Sequence, residues 1–286
     1  MNVVKTYYAL AKPGIIYGNI LVAAGGYLLA AQRHVHIGTL VLMLLGLSLI
    51  IGSACVFNNY LDRDIDVLMK RTKKRALVTG LISPLSSIIY ATVIGLLGVS
   101  ILAVFTNWLT VSIALIGHFF YVVVYGFAKR RSVHGTLVGS ISGALPPLVG
   151  YCAATNRLDL GALLLFVLLV AWQMPHFYAI ALYRKNEYSA ANIPVLPVVK
   201  GEQEAKRQIF FYIIAYLLCA ILLTLFGYTG YPYLVITIGI GLAWLRLGLQ
   251  GFKQAESEIW ARKTFRFSLI VITAWCFVIP LDALLH

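Results

Sequence analysis

Apolar residues in this chain run in long blocks separated by short polar stretches, without the three-to-four-residue spacing of a helix that has one wet face. A block of about 18 apolar residues, rising 1.5 Å per residue, is long enough to cross roughly 30 Å of hydrocarbon. Alternation at period two is absent, so the blocks predict helices and not the strands of a barrel. A helix also pairs its own backbone groups, which hydrocarbon demands. The predicted spans are 15–31, 38–60, 85–105, 108–128, 136–154, 160–183, 207–227, 231–250 and 265–285. The first has some look of a signal peptide, with Lys5 and Lys12 ahead of it and Leu29-Ala30-Ala31 behind. Asn19 inside it and the many later blocks predict a retained helix. The fold class is therefore all-α, a polytopic membrane protein of about nine transmembrane helices, with residues 1–286 forming one domain.

The polar stretches between blocks give the orientation, because Lys and Arg near the membrane favour the cytoplasmic side. Basic residues precede the first span and crowd every second connection: Arg63 to Arg75, Lys129 to Arg131, Arg184 to Arg207, and Lys253 to Arg266. The opposite connections hold only Arg33 and Arg157. This places the N-terminus in the cytoplasm and the C-terminus outside, and the bacterial inner membrane is the expected location.

Composition agrees: 60% of the chain is apolar and 12% charged, about half the charged fraction of a soluble domain. The net charge of +13 calls for no nucleic acid; the positive-inside bias and anionic lipid headgroups account for it. Cys55, Cys152, Cys219 and Cys276 fall in apolar blocks without close spacing and read as small core residues.

Two connections are long, about 61–84 and 184–206, and together they hold six of the ten acidic residues. Charge concentrated at one membrane surface points to function. In the first loop, Asn58, Asp62 and Asp66 stand four residues apart, one helical turn each, and share a face. Two carboxylates and a carboxamide oxygen form a hard-oxygen ligand set that suits Mg²⁺, which keeps open positions for phosphate oxygens. Lys70 and Lys74 extend that face if the helix persists, with Arg71 and Arg75 beside it to take phosphate charge. Asp64 points to the opposite face. The plain alternative is a solvated helix end with an Asp66–Lys70 surface pair. In the second loop, Asn186 and Glu187 are candidates for a second metal, with Arg184 or Lys185 on phosphate; read alone, this is a polar loop with one Glu.

At these stretches the sequence resembles the UbiA-type intramembrane prenyltransferases, whose first motif, Asn-x-x-x-Asp-x-x-x-Asp, matches Asn58, Asp62 and Asp66. Further segments resemble the branch of that superfamily that acts on heme: Lys12-Pro13-Gly14, Arg71-Thr72-x-x-Arg75, Gly139-Ser140-x-Ser142-Gly143-Ala144-x-Pro146-Pro147, Trp172-Gln173-Met174-Pro175-His176-Phe177 and Ile193-Pro194-Val195-Leu196-Pro197. The resemblance implies helices around a central, lipid-accessible cavity and Mg²⁺ as cofactor. It implies farnesyl transfer from farnesyl diphosphate to a vinyl group of heme B, with hand-over of the product to terminal oxidase assembly. Asp62, Asp66 and Glu187 would be the catalytic carboxylates. One departure stands out: Glu187 occupies the place of an Asp in the family's second acidic site, so the carboxylate sits ~1.5 Å further out.

His176, following Pro175 inside the sixth span, is a candidate acceptor-site residue, since an intramembrane His is costly and imidazole suits iron. The alternative is a ring hydrogen-bonded to the carbonyl that Pro175 frees. Asn19 faces a polar cavity or another helix; the resemblance favours the cavity, which makes it a second acceptor-site candidate. A quinone-precursor prenyltransferase would share the aspartate motif but not the Trp172-to-His176 segment, and a transporter would carry its charges at the bilayer midplane.

Overall fold

The computed structural model describes residues 3–254 and 256–285. Among these, nine helices are long and apolar enough to cross a membrane: Pro13–Ala31, Ile37–Leu61, Pro84–Phe105, Trp108–Arg131, Gly135–Thr155, Leu160–Tyr183, Gly201–Leu225, Tyr231–Gln250 and Ser257–Ala283. They are the first to ninth spans below. The chain is a multi-pass membrane protein. Seven spans start within about two residues of expectation. The seventh begins at Gly201 instead of 207, and the ninth at Ser257 instead of 265. Both carry charge in their opening turns, Glu202 and Glu204 in one and Glu258 in the other. Hydropathy skips those turns, yet acids at a helix N-terminus favour its formation.

Caps mark several starts. Ser83, Asn107 and Asp159 accept backbone N–H bonds from Ser86, Thr110 and Ala162, opening the third, fourth and sixth spans. The eighth is capped from another helix: Asp282 of the ninth span accepts from Gly230 N at 2.7 Å and Tyr233 N at 3.1 Å. The fifth span is two helices, Gly135–Gly143 and Leu145–Thr155, because Pro146 and Pro147 lack the N–H groups a continuous helix would need. The fourth loosens to π geometry over Phe120–Tyr125, a distortion frequent at functional sites.

Packing follows small residues. The first span lies against the fifth, the second against the third, and the sixth against the seventh and ninth. A Cβ at Gly150 would strike the Ala23 carbonyl, and one at Gly26 the backbone of Pro147. These two glycines let the first and fifth spans touch backbone to backbone, the contact favoured between helices in lipid. Large apolar side chains such as Leu96, Val104, Val235 and Phe277 cover the outside of the bundle, where hydrocarbon is their solvent. At the end bearing Asp62, the two long loops join through Met69, Ala191 and Ile193, with Tyr188 packed against them. They close over a cavity enclosed by the spans.

Candidate active site

That cavity has a volume of about 730 Å³. Its basic end is lined by Lys12, Asn58, Asp62, Asp66, Arg75 and Lys129. Its interior is lined by His118, Tyr121, Trp172, Gln173 and His176. Asn58, Asp62 and Asp66 do share a face, although the second span stops at Leu61 and a short turn, Arg63–Asp66, carries the rest. The helix does not persist past Asp66. The chain then turns back, with Thr72 Oγ1 donating to Asp66 O at 2.8 Å. Lys70 and Lys74 therefore leave that face: both are exposed, and Lys74 lines no part of the cavity. The same reversal delivers Arg75, which donates to Asp66 Oδ2 at 2.5 Å.

Each of the three motif side chains meets a cation. Lys129 of the fourth span donates to Asp62, Arg130 approaches the same carboxylate at 3.5 Å, and Lys12 donates to Asn58 Oδ1 at 3.0 Å. Asp62 and Asp66 are 6% and 2% exposed, and carboxylates so buried require such partners. Burial pushes the Lys12 ammonium down to about 8. Asn58 Nδ2 is buried without an acceptor, a donor left over that a phosphate oxygen would satisfy.

This chemistry fits Mg²⁺ with a diphosphate. A divalent cation would replace the positive charge on the carboxylates, and the released Lys and Arg groups would meet the phosphate oxygens. Among the described residues no three His, Cys, Asp or Glu side chains converge on one point; the residues that could hold the ion here are Asp62, Asp66 and Asn58. Glu187 lies elsewhere, in a smaller opening with Arg184, 3.8 Å from its guanidinium. Asn186 is exposed and lines neither space. Lys185 is held by Glu202 at 3.0 Å and turns away from the cavity. Asp64 is exposed and paired with Arg130, which holds its carboxyl down at about 2.

His176 does not bond the carbonyl freed by Pro175. Its Nδ1 lies 2.8 Å from Ser268 Oγ on the ninth span. The Ser268 hydroxyl donates its proton to Phe265 O at 2.6 Å, so Oγ is the acceptor and Nδ1 carries the hydrogen. In the neutral ring, Nε2 then keeps its lone pair, on a side chain that lines the cavity. Trp172 stacks on His176 at 5.1 Å and donates from Nε1 to Ser268 O at 2.8 Å. Gln173 gives its amide to Ser140 O and Leu169 O, both at 3.1 Å. Asn19 lines the cavity and donates to Ile15 O at 2.7 Å. His118 meets Ser53 Oγ at 3.2 Å and also lines the cavity.

Lys129, Tyr121 and Tyr125 carry no site role in the sequence motifs, and Lys12 enters only as part of one. The signal for Lys129 and Lys12 was their place at the basic end of an apolar block. Tyr121 and Tyr125 stack at 5.7 Å inside the π segment, with the Lys129 ammonium 5.1 Å from the Tyr125 ring centre.

Buried carboxylates facing cations at the mouth of a greasy cavity define a membrane enzyme that handles a charged head on an apolar tail. The chain belongs to the UbiA prenyltransferase family, which matches residues 19–270. It is 49% identical to the protoheme IX farnesyltransferase of Yersinia pseudotuberculosis, over 99% of this chain and 96% of that protein. In fold it is similar to a digeranylgeranylglyceryl phosphate synthase, with a TM-score of 0.83 at 17% identity and all of both chains covered. It is likewise similar to a UbiA homolog from Archaeoglobus fulgidus bound to GPP and Mg²⁺, with a TM-score of 0.72 at 17% identity, 96% of this chain and 99% of that one.

Proposed function

We propose that the chain transfers the farnesyl group of farnesyl diphosphate to a vinyl group of heme B. Water adds to the vinyl, giving heme O, diphosphate and a proton. One observation carries this reading: a single cavity joins the Asp62–Asp66 end to a wall made by Trp172 and His176. Both reactants can therefore meet inside one chain that is 49% identical to a protoheme IX farnesyltransferase.

Asn58, Asp62 and Asp66 would hold Mg²⁺, which supplies positive charge to the departing diphosphate. A UbiA homolog of the same fold binds that ion together with a prenyl diphosphate. Lys12, Arg75 and Lys129 neutralise the remaining phosphate charge, and buried cations do this more strongly than wet ones. Tyr121 and Tyr125 line the same cavity, and aromatic rings there would stabilise positive charge on the allylic carbon as the diphosphate leaves. The tail lies among apolar side chains, where each buried CH₂ contributes about 0.8 kcal/mol. His176, held through Nδ1 by Ser268, offers Nε2 to the heme iron.

The chain works as one prenyltransferase domain in the cytoplasmic membrane, with the Asp62 end and the N-terminus cytoplasmic and the C-terminus outside. The loop charges support this orientation. Heme O then passes to terminal oxidase assembly. The test offers the purified protein heme B and a hydroxybenzoate together, with farnesyl diphosphate and Mg²⁺. Prenylation of heme alone is expected. Prenylation of the hydroxybenzoate alone would replace heme by a quinone precursor as acceptor.

A further inference from the structure

A second, smaller opening of about 370 Å³ lies at the basic end of the bundle, lined by Lys70, Arg71, Tyr183, Arg184, Glu187 and Arg262. Four positive charges there face one negative charge. Lys70 and Arg71 make no hydrogen bond or ion pair among the described residues. Arg184 reaches Glu187 only at 3.8 Å, and Arg262 pairs with Glu258 on its own exposed helix face. Arginines grouped round a hollow, one unpaired and two held only by a wide or an exposed pair, are a site for a carboxylate or phosphate, which the guanidinium fork matches in two parallel bonds.

The opening shares Arg71, Tyr183 and Arg184 with the main cavity, so the two spaces adjoin. An aromatic row connects them. The Arg262 guanidinium sits 4.8 Å from the Tyr183 ring centre, Tyr183 lies 5.8 Å from Phe265, Phe265 lies 4.9 Å from His176, and Trp172 stacks beyond. This is a surface for a flat, apolar molecule with its charge at one edge. His176 lies on the sixth span and Arg184 caps its end eight residues on, ~12 Å along the axis. That separation matches a porphyrin centre at the histidine and a flexible acidic side arm met by an arginine.

The two substrates of the proposed reaction carry two separate anionic groups, the diphosphate and the pair of heme propionates. Lys12, Arg75 and Lys129, gathered on the motif's carboxamide and carboxylates, answer the first. We infer that the smaller opening is the propionate site, with Arg184 and Arg262 gripping the two carboxylates and Lys70 and Arg71 adding charge at its rim. Held there, the porphyrin lies along the aromatic row with its iron at His176 and its vinyl edge turned into the main cavity. This inference rests on heme B being the acceptor, and it moves Lys70, Arg71 and Arg184 from diphosphate to acceptor binding.

The test compares heme B with its dimethyl ester, which keeps the ring, iron and vinyl groups and loses both negative charges. Each is titrated by absorbance into the full-length protein in detergent, and farnesyl diphosphate binding is measured alongside. The wild type should bind heme B about ten- to a hundredfold tighter than the ester, the range for losing charged hydrogen bonds. Arg184→Gln and Arg262→Gln should each shrink that preference while leaving ester and farnesyl diphosphate binding unchanged, and Arg262→Lys should keep part of it. Equal binding of heme and ester by the wild type would overturn the inference. So would substitutions that weaken farnesyl diphosphate binding and leave the heme preference intact. If the wild type binds neither porphyrin, heme itself is wrong as acceptor, which separates failure of the underlying reading from failure of the propionate site.

Discussion

Lys129 donates to the Asp62 carboxylate across the cavity mouth, joining the end of the fourth span to the end of the second. Both side chains are largely buried, 11% and 9% exposed, so each charge depends on the other. Lys129→Met should leave a buried carboxylate without its nearest cation and cost about 3–5 kcal/mol. Adding Asp62→Asn should recover much of that. Thermal unfolding in detergent measures both, and equal stabilities for Lys129→Met and the double variant are not compatible with this coupling.

In the proposed reaction the motif carboxylates also serve the departing diphosphate. Asp62→Asn and Asp66→Asn should each lower transfer by at least ~100-fold, the order seen when one transition-state electrostatic partner is removed, while heme binding persists. Excess chelator should abolish transfer by the wild type, and Mg²⁺ should restore it. Single-turnover assays decide the matter, and full activity in chelator would remove Asn58, Asp62 and Asp66 from a metal role.

The positions of His176 and Ser268 fix which ring nitrogen is free. His176→Ala should weaken heme binding or change the visible spectrum of the bound heme, with little effect on farnesyl diphosphate. Ser268→Ala removes the acceptor that fixes the tautomer, so its effect should be smaller and in the same direction. Unchanged spectra in both variants would return His176 to a packing role.

The nine spans were legible because hydropathy along a helix is a local property. The same locality explains what was not. The spacing of Asn58, Asp62 and Asp66 was readable, but the reversal after Asp66 was not. It brings Arg75 onto Asp66 and leaves Lys74 outside, where a continuing helix would have aligned Lys70 and Lys74 instead. Lys129 sits 67 positions from Asp62 in sequence, and Ser268 sits 92 from His176. Such pairings are made by which spans pack together, and one sequence carries no spacing rule for that. In the other long loop, Lys185 looked as available for phosphate as Arg184, yet the early start of the seventh span gives it Glu202.

Close approach of the first and fifth spans makes a separate demand. Gly150→Ala would press a methyl group against the Ala23 carbonyl, and Gly26→Ala one against Pro147. Backbone cannot yield as a side chain does, so each should cost about 1–3 kcal/mol or more, read as a lower unfolding temperature in detergent. Gly38→Ala, which meets nothing within 4 Å, is the control and should be near neutral.

In the proposed reaction one cavity adds both a farnesyl group and water to a heme vinyl. Purified protein with heme B, farnesyl diphosphate and Mg²⁺ in ¹⁸O-labelled water, followed by mass spectrometry of the extracted hemes, tests it most directly. One product is expected, carrying a single farnesyl group and a single ¹⁸O atom and absent with Asp62→Asn. Heme B recovered unchanged while farnesyl diphosphate is consumed on another acceptor would contradict it.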